Sequence, residues 1–538
     1  MKNLVRVIAL VLACLFCAMV VVACETVMVK VNNGATRAEG ELYKDDAGVL
    51  WAADEWGHLR LYDALPDTLD YNGEAVTVFY WSDVEKQEFE QAEESDESRA
   101  SAIYNRNLAV QQRLNIELKW KSNPGNAGNI DKFVAVVDNA KTAGQHDFDI
   151  IATYSRTAGS LLVSGLLYDL QSIEDRGQAA DPADMCGYID LVKPWWPNGL
   201  VDDMRIGNSL YFLSGDIAIT AIDEMHCIYF NKDLIDEKFE AEAAEQGIAN
   251  ATQMLYSYVR NGKWTVDKMV EMASGHYVDT DLSGSKDGGD KYGMCSASYC
   301  ACTVYGGANL RMIEPDDAMV LKISDNYTST RTVKLTKTYS TLLRSDDYYD
   351  RMFATGSYVE PFTSGNCLFA LQYIELAENN LVGNEAVAHY GLVPMPKYDE
   401  AQKNYYTVIG NAFTMYGLFS DFAFENENRT GEADTALMLS AVLECWASEA
   451  FRKTTPVIFE LNMQLKYSET QDETDMCEYV RAGICFDLGR VFQSIGFDGD
   501  ARFFNAAYYG ESWVAAYSAD IEAQRINLAK FVESLHLD

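Results

Sequence analysis

Alternating strand and helix patterns spread over more than one core predict an α/β protein built in lobes, and three observations lead there. Strand, helix, strand, helix, strand follow one another from Glu74 to Tyr154 at the spacing of parallel βαβ units. The chain has 538 residues, more than one ordinary hydrophobic core holds. Its residues are 48% apolar and 12% aromatic, enough to fill several cores despite a formal charge of −38.

The elements follow in chain order. Lys2 and Arg6 stand before a run from Val7 to Ala23 that carries no charge. That run is shorter than the about 20 residues a spanning helix needs, and its layout is that of a secretory signal. Losing residues 1–23 would leave 515 residues and a charge of −40. Residues 24–70 are acidic, lack a strong period and read as a tether, with local structure near Leu59–Leu65. Then "AVTVFYW" (75–81) reads as a strand, 99–115 as an amphipathic helix and "IELKW" (116–120) as a strand. Residues 130–144 read as a helix and "FDIIATY" (148–154) as a third strand. Right-handed crossovers place helices on both faces of such a sheet, and ligands gather beyond the carboxyl ends of its strands. Trp81, Ser82 and Asp83, and Tyr154, Ser155 and Arg156, stand at those ends. A second region, about 226–391, holds a helix opened at "WTVDKMVEMA" and the strand "CLFALQ" (367–372). The tail beyond Ala436 is largely helical.

Charge excludes some partners. A surface this acidic repels nucleic acid and anionic headgroups. Nine cysteines remain beyond Cys24, an odd number with no second cluster to complete a zinc tetrahedron. They read as buried small hydrophobes rather than a disulfide framework. No G-x-S-x-G, H-E-x-x-H, P-loop or G-x-G-x-x-G occurs, which argues against an enzyme. A pair of catalytic carboxylates is not excluded by count alone.

Two resemblances sharpen this. Val21-Val22-Ala23-Cys24 resembles the lipobox of bacterial lipoproteins, in which the cysteine becomes the first mature residue and carries the lipid. The order of "FDIIATYSRTAGSLLVSGLLYDL", "NSLYFLSGDIAITAIDEMHCIYFNKDLI", "GKWTVDKMVEMA", "YGMCSAS", "SGNCLFALQ" and "HYGLVPMPKYDEAQKNYY" resembles the family 1 solute-binding proteins that serve ABC importers, the maltose-binding type. The resemblance covers roughly 74–520. It implies a two-lobed, periplasmic-binding-protein-like (type II) fold with a hinge between two α/β domains. Lobe one would be 71–222 plus 397–435, and lobe two 223–396 plus the C-terminal helices 436–538. It further implies a monomer on the extracellular face of the bacterial membrane, anchored through Cys24, beside an ABC permease. No organic cofactor is implied.

The expected ligand is a small solute, an oligosaccharide; a peptide or another polar solute is the alternative, and a secreted glycoside hydrolase the third reading. Sugar sites need aromatic faces and hydroxyl-bonding side chains. Trp81 either stacks on a ligand or caps the sheet, with Asp83 beside it. Tyr154, Ser155 and Arg156 stand where relatives place ligand-bonding groups, although the maltose binder's tryptophan is missing from that loop. Glu224 matches a position that points a carboxylate at sugar, and an acid in a hinge is equally well solvated. Gln372 and Tyr373 follow the lobe-two strand where relatives carry a polar-then-aromatic loop. Trp195 and Trp196 read as core anchors, and Tyr299, Tyr305 and Trp446 as reserve stacking rings. In "DTDLSGSKDGGD" (279–290), Asp279, Asp281, Ser283 and Asp290 fall at alternating positions of a calcium loop, with Gly284 at its turn. Lys286 and a final Asp instead of Glu depart from that pattern, and an acidic surface turn is the alternative reading.

Overall fold

The computed structural model describes residues 41–45, 49–53, 58–95, 97–176, 182–316, 319–349, 358–459 and 470–535. The expected signal (1–23) and the lipid site at Cys24 lie outside them. Among the described residues, no helix is long and apolar enough to cross a membrane.

Two compact units divide the chain at Ala64. In the first, β1 (Leu42–Lys44), β2 (Leu50–Ala53) and β3 (Leu59–Leu61) form an antiparallel sheet with Tyr43 opposite Trp51 and Trp51 opposite Leu61. Trp51, Ala53 and Leu59 pack into a small core, and the Trp51 indole donates to Asp45 at 3.0 Å. The tether expected over 24–70 is corrected here for residues 42–61, because short apolar stretches give these strands a face to bury.

The second unit, from Leu65, carries two sheets. In the first, β4 (Glu74–Trp81), helix α1 (Ser98–Leu114), β5 (Ile116–Asn123), α2 (Ile130–Ala143), β6 (Ile150–Tyr154) and α3 (Ser155–Val163) follow in succession. β4 pairs in parallel with both β5 and β6, as the strand–helix alternation requires. The second sheet is built from β7 (His226–Asn231), β8 (Tyr292–Ser296), β9 (Tyr348–Tyr349), β10 (Cys367–Tyr373) and β11 (Tyr390–Val393). Its order is β9-β8-β10-β7-β11, with β7 antiparallel to both neighbours. The chain then returns, and β12 (Thr414–Leu418) adds an antiparallel edge beside β6, giving β12-β6-β4-β5. The two sheets are the cores of lobe one and lobe two. The crossovers run side by side, joined where Met225 faces Ile409. Residues Ile484–Cys485 make a third passage, pairing in parallel with Thr407–Val408.

The C-terminal helices do not all belong with lobe two, which corrects the assignment of 436–538. Helix α4 (Glu432–Thr455) packs along α1 in lobe one. Its Trp446 meets Trp120, Tyr416 and the Arg106 guanidinium, and its Glu444 accepts from the Trp196 indole at 2.8 Å. Most of α4 is buried, as expected of a helix apolar on nearly every side that covers a sheet. Helix α5 (Gln471–Ala482) lies on β11 in lobe two, where Glu473 pairs with Lys232. All nine cysteines among the described residues are buried.

Candidate functional site

A cleft of about 520 Å³ is lined from both lobes and from the crossovers. That size lies in the range of small-molecule sites, about 300–1,000 Å³. Glu85 enters from the loop after β4, and Tyr154 and Arg156 from the junction of β6 with α3. Ser298, Tyr299 and Cys302 follow β8, and Tyr373 ends β10. Glu224, Asn411 and Ala412 come from the crossovers; Arg490, Asp500, Phe504 and Asn505 come from the third passage and the helix Gly499–Tyr509 behind it.

Four of the expected residues meet in this cleft: Tyr154, Arg156, Glu224 and Tyr373. Glu224 is fastened to the returning crossover twice. Its carbonyl accepts from Gly410 N at 2.9 Å, and its Oε2 from Ala412 N at 3.0 Å. Burial pushes its carboxyl well above the usual range, and Glu375 adds to the shift. Its Oε1 takes no hydrogen bond among the described residues. Gly410 makes room for it, since a Cβ there would lie 2.1 Å from Glu224 Oε2 and 2.7 Å from the Tyr373 hydroxyl. Arg156 donates through Nε to the Arg490 carbonyl at 3.2 Å, and its two terminal nitrogens make no hydrogen bond among the described residues. The Tyr373 ring is stacked on Tyr299 at 5.8 Å, and the Tyr299 hydroxyl bonds that of Tyr358 at 2.7 Å. Behind Tyr373 lies His226, whose Nδ1 bonds the Val408 carbonyl at 2.7 Å.

The third passage adds a buried ion pair, Arg490 Nε to Asp500 Oδ2 at 3.0 Å. Burial pushes the Asp500 carboxyl up, but Arg490 and Arg156 outweigh it and hold the group below its usual range. Arg490 also donates to the Ile409 carbonyl at 2.5 Å, tying the passage to the crossover.

The other expected residues lie behind the cleft wall. Trp81 is 2% exposed and donates to Thr414 Oγ1 at 2.9 Å. That hydroxyl reaches the buried Glu88, which also accepts from Thr220 N. The stacking role considered for Trp81 is thus corrected to a capping one: β4 is an interior strand covered on both faces, and its end points inward. It still backs the site, its ring 5.7 Å from that of Tyr154. Asp83 accepts from Gly125 N, Asn126 N and Asn129 Nδ2 and so fixes the loop after β5. Ser155 is buried and donates to the Asn411 carbonyl at 2.6 Å. Gln372 is buried, accepting from Cys300 Sγ and from Tyr373 N. Asp83, Ser155 and Gln372 are spent within the protein and position the loops that carry the cleft residues.

Trp195, Trp196 and Trp446 are fully buried, and Tyr305 sits in the core against Phe503. Tyr299 is the reserve ring that reaches the cleft. No local pattern points to Arg490 and Asp500, which come from a segment with no strand-end position.

In the acidic loop, oxygens of Asp279, Asp281 and Asp290 lie within 4.8 Å of one another. Most of these oxygens accept backbone N–H groups: Ser283 N reaches Asp279 and Asp281, Gly284 N reaches Asp279, and Thr280 N reaches Asp290 at 2.9 Å. The Ser283 hydroxyl donates to the Ser285 carbonyl.

The geometry is that of two α/β lobes around one cleft, and comparison with solved structures gives a two-lobed fold. The galacto-N-biose-/lacto-N-biose I-binding protein of the ABC transporter from Bifidobacterium longum superposes with a TM-score of 0.50 at 12% identity, over 86% of this chain and 98% of that one. The sugar-binding protein MalE from Xanthomonas citri gives 0.49 at 12% identity, over 86% and 100%. The Bifidobacterium superposition gives the chain the type II periplasmic-binding-protein fold. In sequence, no protein-family model and no curated protein matches it.

Proposed function

We propose that this chain is an extracellular solute-binding protein that captures an oligosaccharide by closing its lobes and delivers it to an ABC importer. One observation carries the reading. The cleft between the lobes presents polar atoms that make no hydrogen bond among the described residues, the two terminal nitrogens of Arg156, Glu224 Oε1 and the Tyr373 hydroxyl, among the rings of Tyr154, Tyr299, Tyr373 and Phe504. Aromatic faces beside unspent donors and acceptors suit pyranose rings with their hydroxyls. Closure over such a ligand excludes water and strengthens each of those bonds. The Bifidobacterium protein of the same fold holds lacto-N-biose, which supports a sugar here. Lipidation at Cys24 would keep a monomer beside its permease.

Binding without turnover is the favoured reading. A glycoside hydrolase needs two carboxylates free for acid and base work. In the cleft, Asp500 is committed to Arg490 and Glu224 gives one oxygen to Ala412 N, so Glu85 and the other oxygen of Glu224 are what such an enzyme would have to use. Recovery of the sugar unchanged is the outcome that decides between the readings. We further propose that the acidic loop holds a structural calcium ion through Asp279, Asp281 and Asp290, whose convergent oxygens suit a hard cation.

The test of the main reading is a thermal-shift screen of the protein against neutral and acidic oligosaccharides and a peptide pool. A ligand that binds only the folded state raises its stability by RT ln(1 + [L]/Kd). A shift with one sugar class, with the sugar recovered unchanged, supports the proposal. Silence with every sugar and a shift with peptides removes the carbohydrate assignment, and hydrolysis of the sugar removes the binding one.

A further inference from the structure

Beside the cleft, three parts of the chain meet through charge. Lys86, one residue beyond Glu85 in lobe one, lies 3.2 Å from Glu375 and 3.3 Å from Glu378 of lobe two, and donates to Asn379 Oδ1 at 3.1 Å. Arg99, in the first turn of α1, grips Asp223 of the crossover with both terminal nitrogens, at 2.8 and 3.1 Å. One of those nitrogens also reaches Glu378 at 3.3 Å. Arg99 and Asp223 are largely buried, and Glu378 is shared by the two cations.

The positions of these residues give the cluster its meaning. Lys86 adjoins Glu85, Asp223 adjoins Glu224, and Glu375 stands two residues after Tyr373; Glu85, Glu224 and Tyr373 all line the cleft. Any change in how the lobes meet at the cluster therefore moves side chains that face the ligand. Overall charge sharpens the argument. At −38 the chain repels itself, and carboxylates brought together across a cleft drive its halves apart unless cations stand between them. Here two cations are set among three carboxylates.

We infer that Lys86 and Arg99 clasp lobe one to Glu375 and Glu378 of lobe two, and that this clasp sets how far the cleft opens. The clasp acts whether or not the ligand is a sugar. Its members are positioning residues that make no contact with solute, and it offsets the mutual repulsion of the acidic lobes where the cleft residues must come together. A bidentate, largely buried pair such as Arg99–Asp223 is stronger than an exposed one, so the crossover stays joined to lobe one while Lys86 and Glu375 are the part that parts. Added salt is a poor test, because it screens the clasp and the global repulsion at once.

Charge exchange separates those effects. Spin labels placed on exposed positions, one in each lobe of the full chain without ligand, report the distance between lobes. Lys86→Glu and Glu375→Lys each place like charges across the clasp, and each is expected to add a longer-distance population. Lys86→Gln, which removes the charge without adding repulsion, is expected to produce a smaller population of the same kind. Combining Lys86→Glu with Glu375→Lys restores the pair in reverse and is expected to recover the wild-type distance. Distances unmoved by all three single substitutions would overturn the clasp, and so would a double variant as open as its parents.

Discussion

The cleft and the acidic loop both gather carboxylates, and they use them in opposite ways. In the loop, Asp279, Asp281 and Asp290 take backbone N–H groups from Ser283, Gly284 and Thr280, so the chain consumes much of their bonding capacity. In the cleft, Glu224 gives one oxygen to Ala412 N, and the other takes no hydrogen bond among the described residues. The same contrast divides the residues at the strand ends: Asp83, Ser155 and Gln372 are bonded within the protein, while the two terminal nitrogens of Arg156 make no hydrogen bond among the described residues. A polar group marks a ligand site by what it leaves unbonded, and residue type alone does not separate the two.

Substitution can break this contrast, and the largest effect belongs to the buried side. Trp81→Ala should cost about 3–5 kcal/mol of stability as a large cavity opens behind Tyr154, measured by urea unfolding. A loss of ligand affinity with stability unchanged would instead return Trp81 to the cleft. Next come the cleft groups. Arg156→Ala and Glu224→Ala should each weaken binding of the sugar found in the screen by about 1.5–3 kcal/mol, roughly 10- to 150-fold, with little change in melting temperature. Calorimetric titration reads both numbers.

A pH series sharpens the comparison from below the cleft floor. Burial holds His226 down at about 3, far under its ordinary value, while the unfolded chain protonates near pH 6.5. The folded value is the lower one, so stability is fully present above pH 6.5 and lost as pH falls. Down to about pH 3 the loss is about 1.4 kcal/mol per pH unit. Urea unfolding at pH 5 and pH 7 should therefore show a smaller difference for His226→Gln than for the wild type. The smallest effect falls on the acidic loop. Calcium at ten times its dissociation constant adds about 1.4 kcal/mol, which in a chain of this length moves the melting temperature by on the order of a degree or two. No change with EGTA, and no calcium in the purified protein, would leave the loop a self-bonded turn.

The first sheet was legible because its strands and helices keep clean periods: β4, α1, β5, α2 and β6 begin and end within a few residues of the expected limits. The loop after β6 was legible for the same reason, since a strand end in a parallel sheet is a place as well as a conformation. Trp81 misled because an indole at such an end looks available until the sheet order makes its strand an interior one. Arg490 and Asp500 were out of reach: their pairing depends on a third passage between the lobes that no local pattern announces. The place of α4 was also hidden, because its apolar surface fits either lobe and only packing on α1 decides between them.

The edge strand β12 carries a consequence for how the protein comes into being. Lobe one closes only when Thr414–Leu418 pairs with Ile150–Tyr154 and Thr414 meets Trp81, 333 residues earlier in the chain. The strands of lobe two, from β7 to β11, come from one unbroken stretch made in between. On a chain emerging from its N-terminus, lobe two is therefore complete while lobe one still lacks an edge strand and a covering helix. The half that begins first finishes last, and its unpaired β6 edge is the surface most in need of protection until that strand arrives.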